Sequence, residues 1–124
     1  SKGVWKMNIY RENILEHYKN PVNLGSLKNY DIKANDLNLS CGDEVSIEIK
    51  LDHDKIKEVK FQGKGCAISL ASTDILLEHL KGKSINEIKK LNDKDIIKLL
   101  GVKLTLTRMN CATLSLNALK SKIK

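Results

Sequence analysis

The stretch NLSCGDE, residues 38–44, sets Cys41 and Asp43 two positions apart with Gly42 between them, and two more cysteines, Cys66 and Cys111, follow far downstream. In an extended segment, positions i and i+2 point to the same side. The thiol and the carboxylate can therefore converge, and Gly42 leaves room for an ion to approach the backbone. Three thiolates and one carboxylate make four donors, a count that suits a tetrahedral zinc ion or the protein share of a two-iron cluster. No C-x-x-C pair is present, so any such site must be closed by the fold. An odd number of cysteines forms no closed disulfide framework. The competing readings are inert core thiols or a reactive nucleophile, and, for Asp43, a turn or capping aspartate.

The elements that must position these four residues are legible from periodicity. NIYRENILEHYKN places Tyr10, Ile14 and Tyr18 at four-residue spacing, a helix that Pro21 ends. PVNLGSL reads as a loop. EVSIEIKLD alternates, with Val45, Ile47, Ile49 and Leu51 on one face, and IKEVKFQG continues with Val59 and Phe61 after a turn at HDK. Residues 44–61 thus form an antiparallel hairpin, preceded by a weaker strand around YDIKAND. After GKGC the period changes to that of a helix carrying Ile68, Ala71, Ile75 and Leu80, closed by Gly82. Ser84 and Glu87 offer a capping box for a short helix, DKDIIKLLG gives another, and a last helix runs from about Arg108 with Leu114 and Ala118 on one side. The expected fold is α+β: a small three-stranded antiparallel sheet with helices packed on one face, an N-terminal helix and a C-terminal helix. On that layout Cys41 precedes a strand, Cys66 stands at a helix start, and Cys111 falls in the first turn of the last helix. A helix N-terminus favours a thiolate.

Length and composition narrow the class. The chain reads as one domain over residues 7–124, with Met7 as the native start and residues 1–6 an extraneous or disordered extension. There is no apolar run of membrane-span length and no signal-peptide pattern, which points to a cytoplasmic protein without a membrane partner. The net charge of +7 invites a nucleic-acid reading, but 20 of the 22 basic residues are Lys and aromatics make up 4%. Base readout favours Arg forks and strand binding favours stacking rings, so the lysines are read as solvated surface and no nucleic-acid partner is expected.

With these residues in place, the chain resembles the U-type iron–sulfur scaffold family (IscU, SufU and the N-terminal domain of NifU) from about Ile9 onward. The resemblance rests on YRENILEHYKNPVNLGSL, SCGDE, VKFQGKGCAISLAS and LTRMNCATLSLNALK, four motifs in order. It implies the same sheet-and-helix fold and a site of Cys41, Asp43, Cys66 and Cys111. These would receive sulfur from a cysteine desulfurase, assemble a [2Fe–2S] cluster and pass it to apo iron–sulfur proteins. Under this reading the protein is a scaffold and carrier, not an enzyme. The alternative, carried by the SufU branch, is a Zn2+-dependent sulfurtransferase that partners a cysteine desulfurase. A third reading is a structural zinc domain with a buried, closed site. Asn110 stands where the IscU branch has histidine, and LTLTRMN replaces a proline-containing segment recognised by Hsp70-type chaperones. Arg108, EHYKNP and GCAIS match the SufU branch, whereas the insertion usual in that branch is missing.

Roles follow from this. Cys111 is assigned as sulfur acceptor, with Arg108 one turn away to steady anionic thiolates. Cys41 and Cys66 are ligands, and Asp43 is the harder oxygen ligand that keeps a cluster labile. Gly63 and Gly65 are read as positive-φ positions beside the site. His17, His53, His79 and Asn110 are assigned no ligand role.

Overall fold

A computed structural model describes residues 2–39 and 41–123, with side chains from Ile9 onward. The alternating segments form three antiparallel strands in the order β1 (Ile32–Asn38), β2 (Asp43–Asp52), β3 (Lys55–Lys64). Because side chains alternate across a strand, Val45, Ile47 and Ile49 of β2 share one face with Ala34 of β1 and Val59 and Phe61 of β3. Ile47 sits opposite both Ala34 and Phe61, and all of these residues are buried. His53 turns the hairpin at φ 59°. A register shift between Lys50 and Leu51 leaves Leu51 only half-buried.

The helices α2 (Ala67–Leu80) and α5 (Leu106–Lys122) cover the apolar face of the sheet. The α2 residues Ala71, Leu76, Leu77 and Leu80 and the α5 residues Ala112, Leu116 and Leu119 fill the core. Helix α1 (Lys2–Lys19) packs on α2 through buried Ile14, while α3 (Asn86–Lys90) and α4 (Asp93–Leu100) flank α5 with Ile88, Ile96 and Leu100. Gly101 ends α4 in a left-handed conformation (φ 72°). Any side chain there would collide with the Tyr10 ring. No helix is long and apolar enough to cross a membrane among the described residues.

Three local readings are corrected. Ser84 and Glu87 form no capping box: Ile85 caps α3 without a side-chain bond, and the Ser84 hydroxyl accepts from the Asn86 amide instead. The capping box is at α4, where Asn92 and Asp95 satisfy each other's amides. Helix α5 starts at Leu106, capped by the Thr105 hydroxyl accepting from the Arg108 amide at 3.3 Å. Cys111 is therefore its sixth residue, beyond the first turn.

One buried acid organises the approach to the sheet. Asp74 of α2 is fully buried; its Oδ1 accepts from the Asn23 amide (2.8 Å) and the Asn23 side-chain amide (3.0 Å), and its Oδ2 accepts from the Val22 amide (3.0 Å) and stands 2.5 Å from His17 Nδ1. Asn23 in turn accepts from the Phe61 amide, and Gly25 donates to the Phe61 carbonyl. The loop after Pro21 is thus pinned along β3. His17 is the satisfied histidine expected of it.

Candidate metal and sulfur site

The site forms where β2, the β3–α2 junction and α5 meet. After β1 the chain turns on the Asn38 carbonyl, which accepts from the amides of Cys41 (3.3 Å) and Gly42 (2.9 Å). Gly42 takes φ 71° in open space, a conformation glycine adopts freely. That turn leaves Cys41 exposed and starts β2 at Asp43, whose side chain points inward and is 1% exposed.

Asp43 is held from one side only. Its Oδ1 accepts the Cys66 amide at 3.1 Å, whereas Oδ2 is buried with no hydrogen-bond partner among the described residues. A buried carboxylate oxygen left unpaired is costly, and a cation satisfies it. Gly65, at φ 155°, makes the space, since a Cβ there would overlap the Asp43 carboxylate. Gly63 does not share this conformation, contrary to expectation. Its lack of a side chain serves close approach instead, because a Cβ would stand 2.6 Å from the Glu44 carbonyl on the paired strand.

Cys66 caps α2, its Sγ accepting from the Ser69 amide at 3.4 Å. Cys111 is buried at 2% exposure. The Sγ atoms of Cys41 and Cys111 and a carboxylate oxygen of Asp43 all lie within 4.8 Å of one another. The Cys66 thiol is outside that trio, but it too borders Cys111. Burial pushes the Cys111 thiol well above the ordinary range, with Asp43, Cys41 and Cys66 adding to the effect. Cys111 is thus a protonated thiol in the metal-free chain, not the thiolate that a helix-start position suggested. The Arg108 side chain is exposed and makes no ion pair among the described residues.

Residues the sequence did not mark as important are Asp74, Thr105 and the Ser69 amide. Two leucines, Leu39 (88% exposed) and Leu106 (83% exposed), flank the site in sequence. The only sequence hint for Asp74 was an acid inside an otherwise uncharged run, SLASTDILL.

The donor chemistry fits a thiophilic cation: the soft sulfurs of Cys41 and Cys111 and one hard oxygen of Asp43, with the Cys66 thiol beside Cys111. Comparison with known proteins agrees with this chemistry. The model of the NifU-like N terminal domain family matches residues 9–124. The chain is 38% identical over 119 residues to the iron-sulfur cluster assembly enzyme IscU of Drosophila melanogaster, covering 93% of this chain and 76% of that one. It is 37% identical over 132 residues to the zinc-dependent sulfurtransferase SufU of Bacillus subtilis, covering 93% and 89%. Among solved structures, a SUF-system scaffold protein of Fervidobacterium islandicum AW-1 superposes with a TM-score of 0.75 at 32% identity, covering 91% of this chain and 95% of that one. The chain belongs to the NifU-like N-terminal domain family.

Proposed function

We propose that the protein is an iron–sulfur cluster assembly scaffold, building a [2Fe–2S] cluster on Cys41, Asp43, Cys66 and Cys111 and passing it to apo-proteins. The observation that carries the reading is the buried, half-unpaired Asp43 carboxylate gathered with the Cys41 and Cys111 thiols inside 4.8 Å. Cys66, bonded to Asp43 through its amide, supplies the fourth donor by rotating its thiol away from the Ser69 amide. Cysteine desulfurase is the sulfur source. In that step the Cys111 thiol gives up its proton and attacks the terminal sulfur of the donor's persulfide. The donor's S–S bond breaks, its cysteine leaves as thiolate, and the new S–S bond stands on Cys111. An external reductant then supplies two electrons for each sulfur that becomes bridging sulfide. Asp43, the hard ligand among soft ones, is the weak link that lets recipients take the cluster.

A second reading has one observation in its favour. In a tetrahedral zinc site with arms of ~2.3 Å, donors stand about 3.7 Å apart, and the 4.8 Å gathering is close to that of one ion. The same four residues would then hold Zn2+, which lowers thiol pKa values when bound, and the protein would be a zinc-dependent sulfurtransferase. Anaerobic purification with metal and sulfide analysis separates the two. Iron with equimolar sulfide supports the scaffold. Tightly held zinc together with stimulation of a desulfurase supports sulfur transfer. If neither metal is retained and desulfurase turnover is unchanged, both readings fall.

A further inference from the structure

Cys41, Cys66 and Cys111 are all free thiols, and two of them stand almost close enough to bond to each other. The Sγ atoms of Cys41 and Cys111 lie within 4.8 Å, whereas a disulfide needs ~2.05 Å, so at most ~2.8 Å of closure separates the two states. Moving one sulfur between staggered rotamers covers about that distance. Cys41 is the partner free to make the move. It is exposed on the turn that Gly42 carries at φ 71°, and nothing stands within 4 Å of the place a Gly42 side chain would take. Cys111 is held inside α5 at 2% exposure.

The third thiol is engaged elsewhere. Cys66 caps α2, its Sγ accepting from the Ser69 amide at 3.4 Å, and it lies outside the group of ligand atoms gathered within 4.8 Å. A bridge to Cys66 gives up that cap, while a bridge between Cys41 and Cys111 leaves it in place. The difference in exposure also sets an order of events. A dissolved oxidant reaches Cys41 and not Cys111. The buried thiol then stands at short range from whatever bond forms on Cys41, and exchange runs through such a mixed disulfide.

We propose that Cys41 and Cys111 form a reversible disulfide in the metal-free chain, by exchange with a small-molecule disulfide, and that this bridge closes the site to metal. The Cys41 sulfur attacks one sulfur of the oxidant RSSR. The oxidant's S–S bond breaks, and one RS− leaves and takes up the Cys41 proton. The Cys111 sulfur then attacks the Cys41 sulfur, the mixed disulfide breaks, and the second RS− leaves with the Cys111 proton. Two thiols are oxidised to one disulfide, and one RSSR is reduced to two RSH. The loss of metal binding rests on the four-ligand reading above. With the two sulfurs bonded to each other, Asp43 and Cys66 are left, two donors where a tetrahedral ion takes four. Loading and oxidation therefore exclude each other: a bound ion holds both sulfurs out of exchange, and the bridge keeps an empty site empty until a reductant opens it.

The test incubates the metal-free chain anaerobically in chelator with oxidised glutathione, then alkylates it with iodoacetamide and maps it by mass spectrometry without reduction. The expected product is a peptide pair joined through Cys41 and Cys111, with Cys66 alkylated and no glutathione retained. Zinc affinity of the bridged chain, from competition with a chromophoric chelator, falls at least ~100-fold and returns with dithiothreitol. Zinc added first slows bridging at least ~tenfold. Cys66→Ser, whose hydroxyl caps a helix as well as the thiol does, bridges at a rate within about twofold of the parent. Glutathione left on Cys41, a bridge that uses Cys66, bridges only between chains, or zinc affinity unchanged by a formed bridge would each overturn the proposal. The bridge and the scaffold reading fail separately. A chain that builds clusters when reduced but never joins Cys41 to Cys111 loses the bridge alone. One that bridges and loses zinc on oxidation, yet builds no cluster when reduced, loses the scaffold reading alone.

Discussion

Gly65 is the position where a single methyl should do most harm to the site without touching a ligand. Its φ of 155° lies where L side chains rarely go, and a Cβ would come 2.9 Å from Asp43 Cγ and closer still to Oδ1. Holding alanine in that conformation costs about 1–3 kcal/mol. Asp43 must then swing away, breaking its bond from the Cys66 amide, and a hydrogen bond to a charged group contributes about 1.5–3 kcal/mol. Gly65→Ala should therefore lose about 3–5 kcal/mol of metal-free stability, a large part of the ~5–15 kcal/mol of a typical domain. With the carboxylate no longer gathered with the two thiols, zinc affinity should fall on the order of 10–100-fold, the size of effect seen when a ligand's supporting group is removed. Gly42→Ala is the control. Its φ is 71°, but a methyl there meets nothing within 4 Å, so it should cost only about 1 kcal/mol and leave zinc affinity within a few-fold of the parent. Urea unfolding and competition against a chromophoric chelator measure the two quantities. Combining Gly65→Ala with Asp43→Ala removes the collision, so the double variant should lose at least about 1 kcal/mol less than the two singles together. If Gly65→Ala behaves like Gly42→Ala in both assays, Gly65 does not make the space for Asp43.

Asp43→Ala should give a longer-lived bound cluster that moves more slowly to a recipient apo-protein, measured by the decay of visible absorbance with and without the recipient; equal or faster transfer removes Asp43 from that role. Burial raises the Cys111 thiol in the folded chain above its unfolded value of ~8.5. Its proton is then kept by the folded form and lost by the unfolded one, so metal-free stability should hold below that pH and fall as pH rises past it. The urea midpoint measured in chelator from pH 7 to 10 should show this decline, and Cys111→Ala should lessen it. The same burial should make Cys111 react with iodoacetamide at least tenfold more slowly than exposed Cys41, as read by peptide mass mapping. Asp74→Ala strands three donors and His17 at once and should lower stability by about 2–4 kcal/mol, seen in the same urea titration.

How much of this was written in the sequence depends on whether the signal was local. The hairpin was legible because Val45, Ile47 and Ile49 must face a core and their polar neighbours must not, a pattern fixed by the pleat alone. Cys66 at the start of α2 and Gly82 beyond its end were legible for the same reason. The boundary of α5 was not, because LTLTR carries a threonine cap at Thr105 with no acidic partner three residues on, and the capping box was sought at Ser84 when the chain places it at Asn92. Asp74 was opaque. Its worth lies in amides from residues 22 and 23, some fifty positions earlier, and no window of sequence holds both.

The four proposed ligands show the same division more sharply. Their types were read from the chain, and so was the convergence of Cys41 with Asp43, two residues apart. That Cys111 would join them depends on α5 crossing the end of the sheet, which no spacing encodes. Its protonation was misread because a helix start was taken as the dominant influence. The field of a helix terminus fades within the first turn, and Cys111 lies past it, where loss of water decides. The consequence reaches the chemistry. A buried neutral thiol beside a buried, half-satisfied carboxylate is a pair that a divalent cation resolves at a stroke, pairing Oδ2 and displacing the proton. In the proposed site, the energy left unspent without metal would thus be a driving force for loading. In the proposed scaffold, Cys41, exposed on its glycine turn, would be the ligand through which a donor or a recipient gains entry.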